Sequence, residues 1–451
     1  MTHKSIYRLA IPAFLCIVLI VPVLVFAQDI ATTATTVPGT PAPLKIDSGD
    51  TAWVLISTAL VMLMTPGLAL FYGGMVRKKN VLGTIMHSFI AIALVSVQWI
   101  LFGYSLSFGP DVKGIIGNLS WAGLSSVSIT PNADYAPTVP HLAFMVYQMM
   151  FAVITPALIS GAFAERIKFS SFLVFTLAWT TIVYDPVAHW VWGAGGWMRN
   201  LGVLDFAGGI VVHATSGFSA LAAALYIGKR KGFLHEHMPP HDLPLTVLGA
   251  GLLWFGWFGF NAGSALSSGS LATMAFVTTH AAAVSATLTW TFVEWVHRGK
   301  PTMFGAATGA IAGLATITPA AGFVGPLPAL CIGVAAGLVC YTALNAKTRF
   351  KYDDSLDAFG VHGVGGTLGT IMAGVFASIA INAAGANGLL FGNPKQLAVQ
   401  LGAVALVALY SFAVSMVLFK IIDLVMGVRV DAEQETEGLD ISQHGEAGYT
   451  S

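Results

Sequence analysis

Between Thr51 and Val428 the chain runs through eleven apolar stretches, near 52–72, 83–108, 141–163, 170–192, 206–228, 244–264, 272–296, 303–319, 324–346, 358–383 and 397–427. About 20 apolar residues match the roughly 30 Å hydrocarbon layer of a bilayer. Backbone N–H and C=O groups in lipid must be paired within their own segment, so each stretch is expected to be a helix. The charge content agrees: 21 basic and 21 acidic residues make 9% of 451 residues charged, against about 25% in soluble domains. The 49 glycines supply the small residues that let such helices approach closely. An all-α polytopic membrane protein with eleven transmembrane helices is the expected fold class. Zero net charge and no basic run longer than three exclude nucleic-acid binding and a polybasic lipid anchor. Cys16, Cys331 and Cys340 are scattered in apolar stretches, so neither a disulfide framework nor a metal cluster is read.

Residues 1–27 carry Lys4 and Arg8, an apolar run to Phe26, then Ala27, which reads as a signal peptide with a small-residue cleavage site; an uncleaved first span is the alternative. Residues 28–50 are rich in Thr, Ala and Pro and read as an exported linker. Residues 51–428 form the transmembrane domain and 429–451 a tail. Lys and Arg are retained on the cytoplasmic side. Thirteen follow the odd-numbered segments: Arg77, Lys78, Lys79, Arg166, Lys168, Lys229, Arg230, Lys231, Arg298, Lys300, Lys347, Arg349 and Lys351. Only Lys113, Arg199 and Lys395 follow the even ones. The first helix therefore enters from outside and the tail is cytoplasmic.

The longest polar break, Lys229 to Pro244, divides the first ten segments into two groups of five. Because five is odd, the second half starts from the opposite side, as in inverted-topology repeats that share a mid-membrane site. Segment five opens at Asp205 and reaches His213, while segment ten opens at Asp357 and reaches His362.

Ionisable residues within spans are functional candidates: His87, His189, His213, His280, His362, Asp185 and Glu294. A lone intramembrane histidine reads equally as an interhelical hydrogen-bonding residue. His213 and His362 stand out because they occupy corresponding places, flanked by glycines. Two imidazoles in contact can share a proton, since each ring nitrogen is donor or acceptor. Asp205 and Asp357 read as caps on free N–H groups. Most of the 11 Trp fit an interfacial belt. In the runs around Trp192 and around Trp254, Trp257 and Phe260, however, rings alternate with glycine. Glycine beside a ring opens space on a π-face, where a small cation is held by the ring quadrupole, with Ser264 to complete the contact.

The stretches FYGGMVRKKNVL (71–82), GAFAERIKFS (161–170), AHWVWGAGG (188–196), DFAGGIVVH (205–213), GWFGFNAGSA (256–265), FGVHGVGG (359–366) and EGLDISQHGEAGY (437–449) resemble the ammonium transporters of the Amt/Mep/Rh family, its Amt branch in bacteria. The resemblance implies two inverted five-helix repeats plus one helix, a homotrimer with one pore per subunit, and ammonium or ammonia as substrate. It implies an outer recruitment site at Trp192, Ser264 and Tyr147, with Asp205 the buried carboxylate near it. Phe151 and Phe260 resemble the stacked gate rings, with Trp257 beside them, and His213 and His362 the twin pore histidines. Tyr147 stands where many members carry Phe, and Asp185 where several carry an uncharged residue; Asp185 is expected to add negative potential at the outer mouth. The expected activity is ammonium transport across the bacterial inner membrane, with no cofactor and no enzymatic chemistry. The acidic tail resembles the regulatory tail met by a PII-type signalling protein. The alternative is an ammonium sensor using the same pore.

Overall fold

The computed structural model describes residues 44–449; the signal-like segment 1–27 lies outside these. Eleven apolar helices account for most of the described chain. They are α1 (Ser48–Met75), α2 (Lys78–Phe108), α3 (His141–Phe163), α4 (Phe169–Leu201), α5 (Gly209–Ile227), α6 (Leu243–Ala265), α7 (Ser270–Arg298), α8 (Met303–Ile317), α9 (Pro326–Phe350), α10 (Phe359–Phe376) and α11 (Pro394–Met426). Helix α1 starts inside the stretch read as linker, because the Asp47 carboxylate accepts the Asp50 N–H at 2.9 Å and caps it there. Helix α8 has only 15 residues and nearly all are buried. It is walled by other helices, so it has no need of full membrane-spanning length. Helix α10 stops at Phe376, short of the apolar stretch that continues to 383.

The halves meet where α5 crosses α10. A side chain at Gly217 would strike the backbone of Gly363, and one at Gly366 would strike the carbonyl of Gly209 and Cβ of His213. Gly217 and Gly366 each lie four residues after the histidine of their own helix, so the contact is reciprocal. Without Cβ atoms the two backbones close to touching distance and set the two histidines side by side. Both helices open with a π-helical turn containing the histidine, Gly209–Ala214 and Phe359–Gly363. Such turns recur at functional sites.

The segment that caps α10 differs from expectation. Asp357 has φ +63° and its carboxylate pairs with Lys347. The cap is Asp354, whose oxygens accept the N–H groups of Ala358 (3.1 Å) and Phe359 (2.8 Å). Asp354 precedes His362 by eight residues, as Asp205 precedes His213, so Asp354 is the true counterpart of Asp205 in the second repeat.

The loops after the odd helices share one face. There the Glu165 carboxylate accepts Arg77 through N (2.7 Å) and Nε (2.8 Å) and lies 3.4 Å from Arg230. Burial pushes this carboxyl up, but Arg230 and Arg77 outweigh burial and hold it below the ordinary value. Arg230 also pairs with Asp353 at 2.9 Å. The tail closes over this face: Val430 N donates to the Arg166 carbonyl (3.1 Å), Leu439 N to Asn80 (2.8 Å), and Gly83 N to Asp440 (2.8 Å). Arg166 is wholly buried; burial pushes its guanidinium down to about 10. It donates to the carbonyls of Gly228, Ala162 and Asp353 and to the Ser355 hydroxyl. Lysine cannot reach this set from one nitrogen. Arg166→Lys is expected to destabilise the protein by on the order of 3 kcal/mol, since each stranded buried acceptor costs about 1–3. The thermal midpoint of detergent-purified protein, lowered in the variant, checks this.

Candidate substrate pathway

On the face opposite the basic loops, a vestibule of about 210 Å³ opens between α2, α3, α4 and α6. Trp192, at the C-terminal end of a two-turn segment Asp185–Trp192, lines it together with Ser264 and Phe151. The Trp192 indole N–H donates to the Asp205 carbonyl at 2.8 Å, which fixes the ring plane. The Ser264 hydroxyl donates to the Phe260 carbonyl at 2.9 Å, leaving its lone pairs for a donor in the vestibule.

Asp205 is buried, with its carboxylate turned to the backbone. Its two carboxylate oxygens accept four N–H groups, from Gly208 (2.8 Å), Gly209 (2.6 Å), Ile210 (2.8 Å) and Val211 (3.0 Å). It is the cap expected of it, and it acts on the vestibule through its backbone bond to Trp192. Tyr147 sits behind the wall. It is fully buried, its hydroxyl lies 2.9 Å from the carbonyls of both Gly259 and Phe260 and 3.2 Å from Ser264 Oγ, and its neighbour Gln148 lines the vestibule instead.

Phe151 and Phe260 close the vestibule floor, with ring centroids 4.3 Å apart. Phe151 meets Trp192 edge-on at 5.9 Å and 88°. Beneath them lies a cavity of about 10 Å³, room for roughly one water-sized molecule. Its wall is apolar, formed by residues such as Leu68, Ile154, Val212 and Ile311, except for His213 and His362. Trp257 belongs to this cavity, stacked on His213 at 5.5 Å and held by its indole N–H on Thr318 at 2.9 Å. The two imidazoles are nearly parallel (14°) with Nδ1 atoms 3.2 Å apart. In a neutral pair one Nδ1 donates and the other accepts, so of the two Nε2 atoms one is an acceptor and the other a donor. Nε2 of His213 has no protein partner and is available to a molecule in the cavity.

Four other intramembrane ionisable residues lie away from this cavity in packing and hydrogen-bonding contacts. His87 lies within a phenylalanine cluster, 4.4 Å from the Phe172 ring. His189 bridges the Ser107 carbonyl (3.0 Å) and Asp111 (2.9 Å). Glu294 accepts the Thr302 N–H and hydroxyl, fixing the turn into α8. Asp185 does not reach the mouth as expected: it is buried against Gln98 (2.7 Å) and Ser107 (3.3 Å). Sequence reasoning missed the aromatic rim of Tyr135 and Phe144 and the placement of Arg199 beside Trp192. Tyr135 lies in a loop, Phe144 inside the apolar start of α3 and Arg199 in a short helical turn, so none of them carried a signal. Asp354 carried one in its eight-residue spacing from His362.

A model of the Ammonium Transporter Family matches residues 52–449. The chain is 52% identical over 402 residues to an ammonium transporter of Bacillus subtilis, covering 89% of this chain and 98% of that one. It is 51% identical over 405 residues to the ammonium transporter Amt1 of Archaeoglobus fulgidus, covering 90% and 100%. Among solved structures it is similar to Saccharomyces cerevisiae Mep2 (TM-score 0.80, 37% identity, 86% of this chain and 89% of that chain). It is also similar to a sensor Amt protein (TM-score 0.80, 29% identity, 88% and 98%).

Proposed function

The chain belongs to the ammonium transporter family, and from that premise we propose how this multi-pass membrane protein moves ammonium. Ammonium is recruited at Trp192 and Ser264 and gives up a proton at the Phe151–Phe260 gate to the His213–His362 pair, which carries the proton inward from ring to ring while ammonia crosses the same lumen. Tyr147 supports Ser264 from behind. One observation carries this reading: a polar vestibule gives way, across a single pair of closely packed, tilted rings, to a one-molecule apolar cavity whose sole polar groups besides the Trp257 indole are two coupled imidazoles. A bare ion in such a cavity faces a solvation cost of tens of kcal/mol by Born estimates. A neutral molecule that both donates and accepts hydrogen bonds matches the two Nε2 atoms.

The basic face then lies in the cytoplasm and the vestibule outside, in a bacterial inner membrane, with residues 1–27 removed as an export signal. His280 is exposed on α7 beside Trp254 (5.5 Å). A polar ring facing lipid is expensive, which supports assembly, as the homotrimer, with this face covered. The tail on the basic face offers the surface a PII-type protein would meet. A sensor reading draws on the likeness to a sensor Amt protein; it predicts binding without flux, whereas the transport reading predicts currents from reconstituted protein on solid-supported membranes.

Trp192→Leu is expected to raise the half-saturating ammonium concentration several-fold to about thirty-fold, the equivalent of a cation–π contribution of about 1–2 kcal/mol. The measurement is the current amplitude over graded ammonium pulses. An unchanged curve would remove Trp192 from the recruitment site.

A further inference from the structure

The rim of the vestibule carries a cation of its own. Arg199, in the short helical turn Trp197–Leu201, donates through Nη1 to the Trp192 carbonyl at 3.0 Å and through Nη2 to the Asp134 carbonyl at 3.1 Å. Its guanidinium carbon lies 5.9 Å from the centre of the Tyr135 ring. That ring is itself fixed, since the Tyr135 hydroxyl donates to the Phe108 carbonyl (2.6 Å) and accepts the Ala194 N–H (3.0 Å). Arg199, Tyr135 and Trp192 all line the same vestibule. Both hydrogen bonds of Arg199 end on backbone carbonyls and it makes no ion pair with a carboxylate among the described residues; the Asp134 side chain lines the same vestibule without pairing with it.

We propose that Arg199 is a specificity residue: a fixed positive charge on the rim that weakens binding of every cation at the Trp192 site and repels multivalent cations most. The proposal rests on the recruitment reading above. An aromatic site alone ranks cations poorly, because a ring quadrupole attracts a more highly charged ion at least as well as a monovalent one. A like charge at the rim reverses that order. At separations of roughly 6–8 Å and an effective dielectric of about 40–80, repulsion lowers the affinity for a monovalent ion about three- to tenfold. The energy doubles for a divalent ion, so the factor squares, to roughly ten- to a hundredfold. A site meant to release its ligand into a gate tolerates the first loss and gains from the second. Arginine suits the position because its planar fork reaches two carbonyls while stacking on a ring.

The test is current on solid-supported membranes with reconstituted Arg199→Gln and Arg199→Lys, over ammonium concentration with and without magnesium. Arg199→Gln is expected to lower half-saturating ammonium about three- to tenfold and to lower the magnesium concentration that inhibits by about the square of that factor. Both gains should fade at high ionic strength, where exposed charges are screened. Arg199→Lys, which keeps the charge but loses the fork and the stacking, should leave the ratio of the inhibiting magnesium concentration to half-saturating ammonium close to that of the unmodified protein. If Arg199 serves only to brace Trp192, both variants raise half-saturation, and the proposal falls. It also falls if Arg199→Gln binds ammonium more tightly with magnesium inhibition unchanged. The underlying reading fails separately, through an unaltered response in Trp192→Leu.

Discussion

Replacing His213 by alanine is expected to abolish most ammonium-dependent charge movement, by about a hundredfold, the lower range for losing a positioned proton-transfer group. Adding His362→Ala should then cost little more. The reason is geometric. With Nδ1 atoms 3.2 Å apart, a proton received at one outer ring nitrogen leaves from the other only after the shared Nδ1 proton shifts between rings. Either ring missing breaks that single chain, and groups acting as one unit are non-additive. Each single variant and the double variant, measured as current amplitudes in the same vesicles at equal protein content, decide the matter. Losses that multiply would mean two independent sites along the lumen, and the relay would have to be given up.

The histidine pair was legible in the sequence because function and packing marked it twice. A histidine inside an apolar segment is costly, and glycines beside both histidines showed where two backbones come together. Segment number and the gathering of the basic loops on one face were legible for an equally simple reason: hydropathy and charge are summed over many residues, so single errors cancel. What escaped depended on single residues. Asp357 stands nearer the Phe-Gly start of α10 than Asp354 does, yet its left-handed φ turns its carboxylate to Lys347 and leaves the cap to Asp354. Tyr147 and Gln148 are adjacent, and neighbouring residues on a helix face about 100° apart; the π-turns in α2, α4, α5 and α10 change such phases again with no mark in composition. Tyr147 faces α6 because its hydroxyl finds two carbonyls there. Asp185 misled for a related reason. A carboxylate near a helix end suggests exposure, but the preceding π-turn Thr180–Tyr184 rotates it toward Gln98.

Potassium gives the second large effect. It is close to ammonium in size and is held by an aromatic face, so it should compete weakly at Trp192 and Ser264, yet it has no proton to lose. If passage requires deprotonation at the Phe151–Phe260 gate, potassium stops there, because the cavity beneath holds about 10 Å³ and cannot admit a hydration shell. Flux with potassium as the only cation should fall at least a hundredfold below that with ammonium, since a cost of about 3 kcal/mol suffices for that ratio and a bare ion in an apolar cavity exceeds it. Replacing His213 and His362 together with Asp and Glu should open a path for potassium. Fixed carboxylates draw water into the lumen and solvate a permanent cation. Potassium-specific electrode traces from loaded vesicles separate the outcomes. If the unmodified protein conducts potassium at a rate comparable to ammonium, the pore passes intact ions, and the histidines would have to be reinterpreted as ligands for a hydrated ion rather than as a route for the proton it leaves behind.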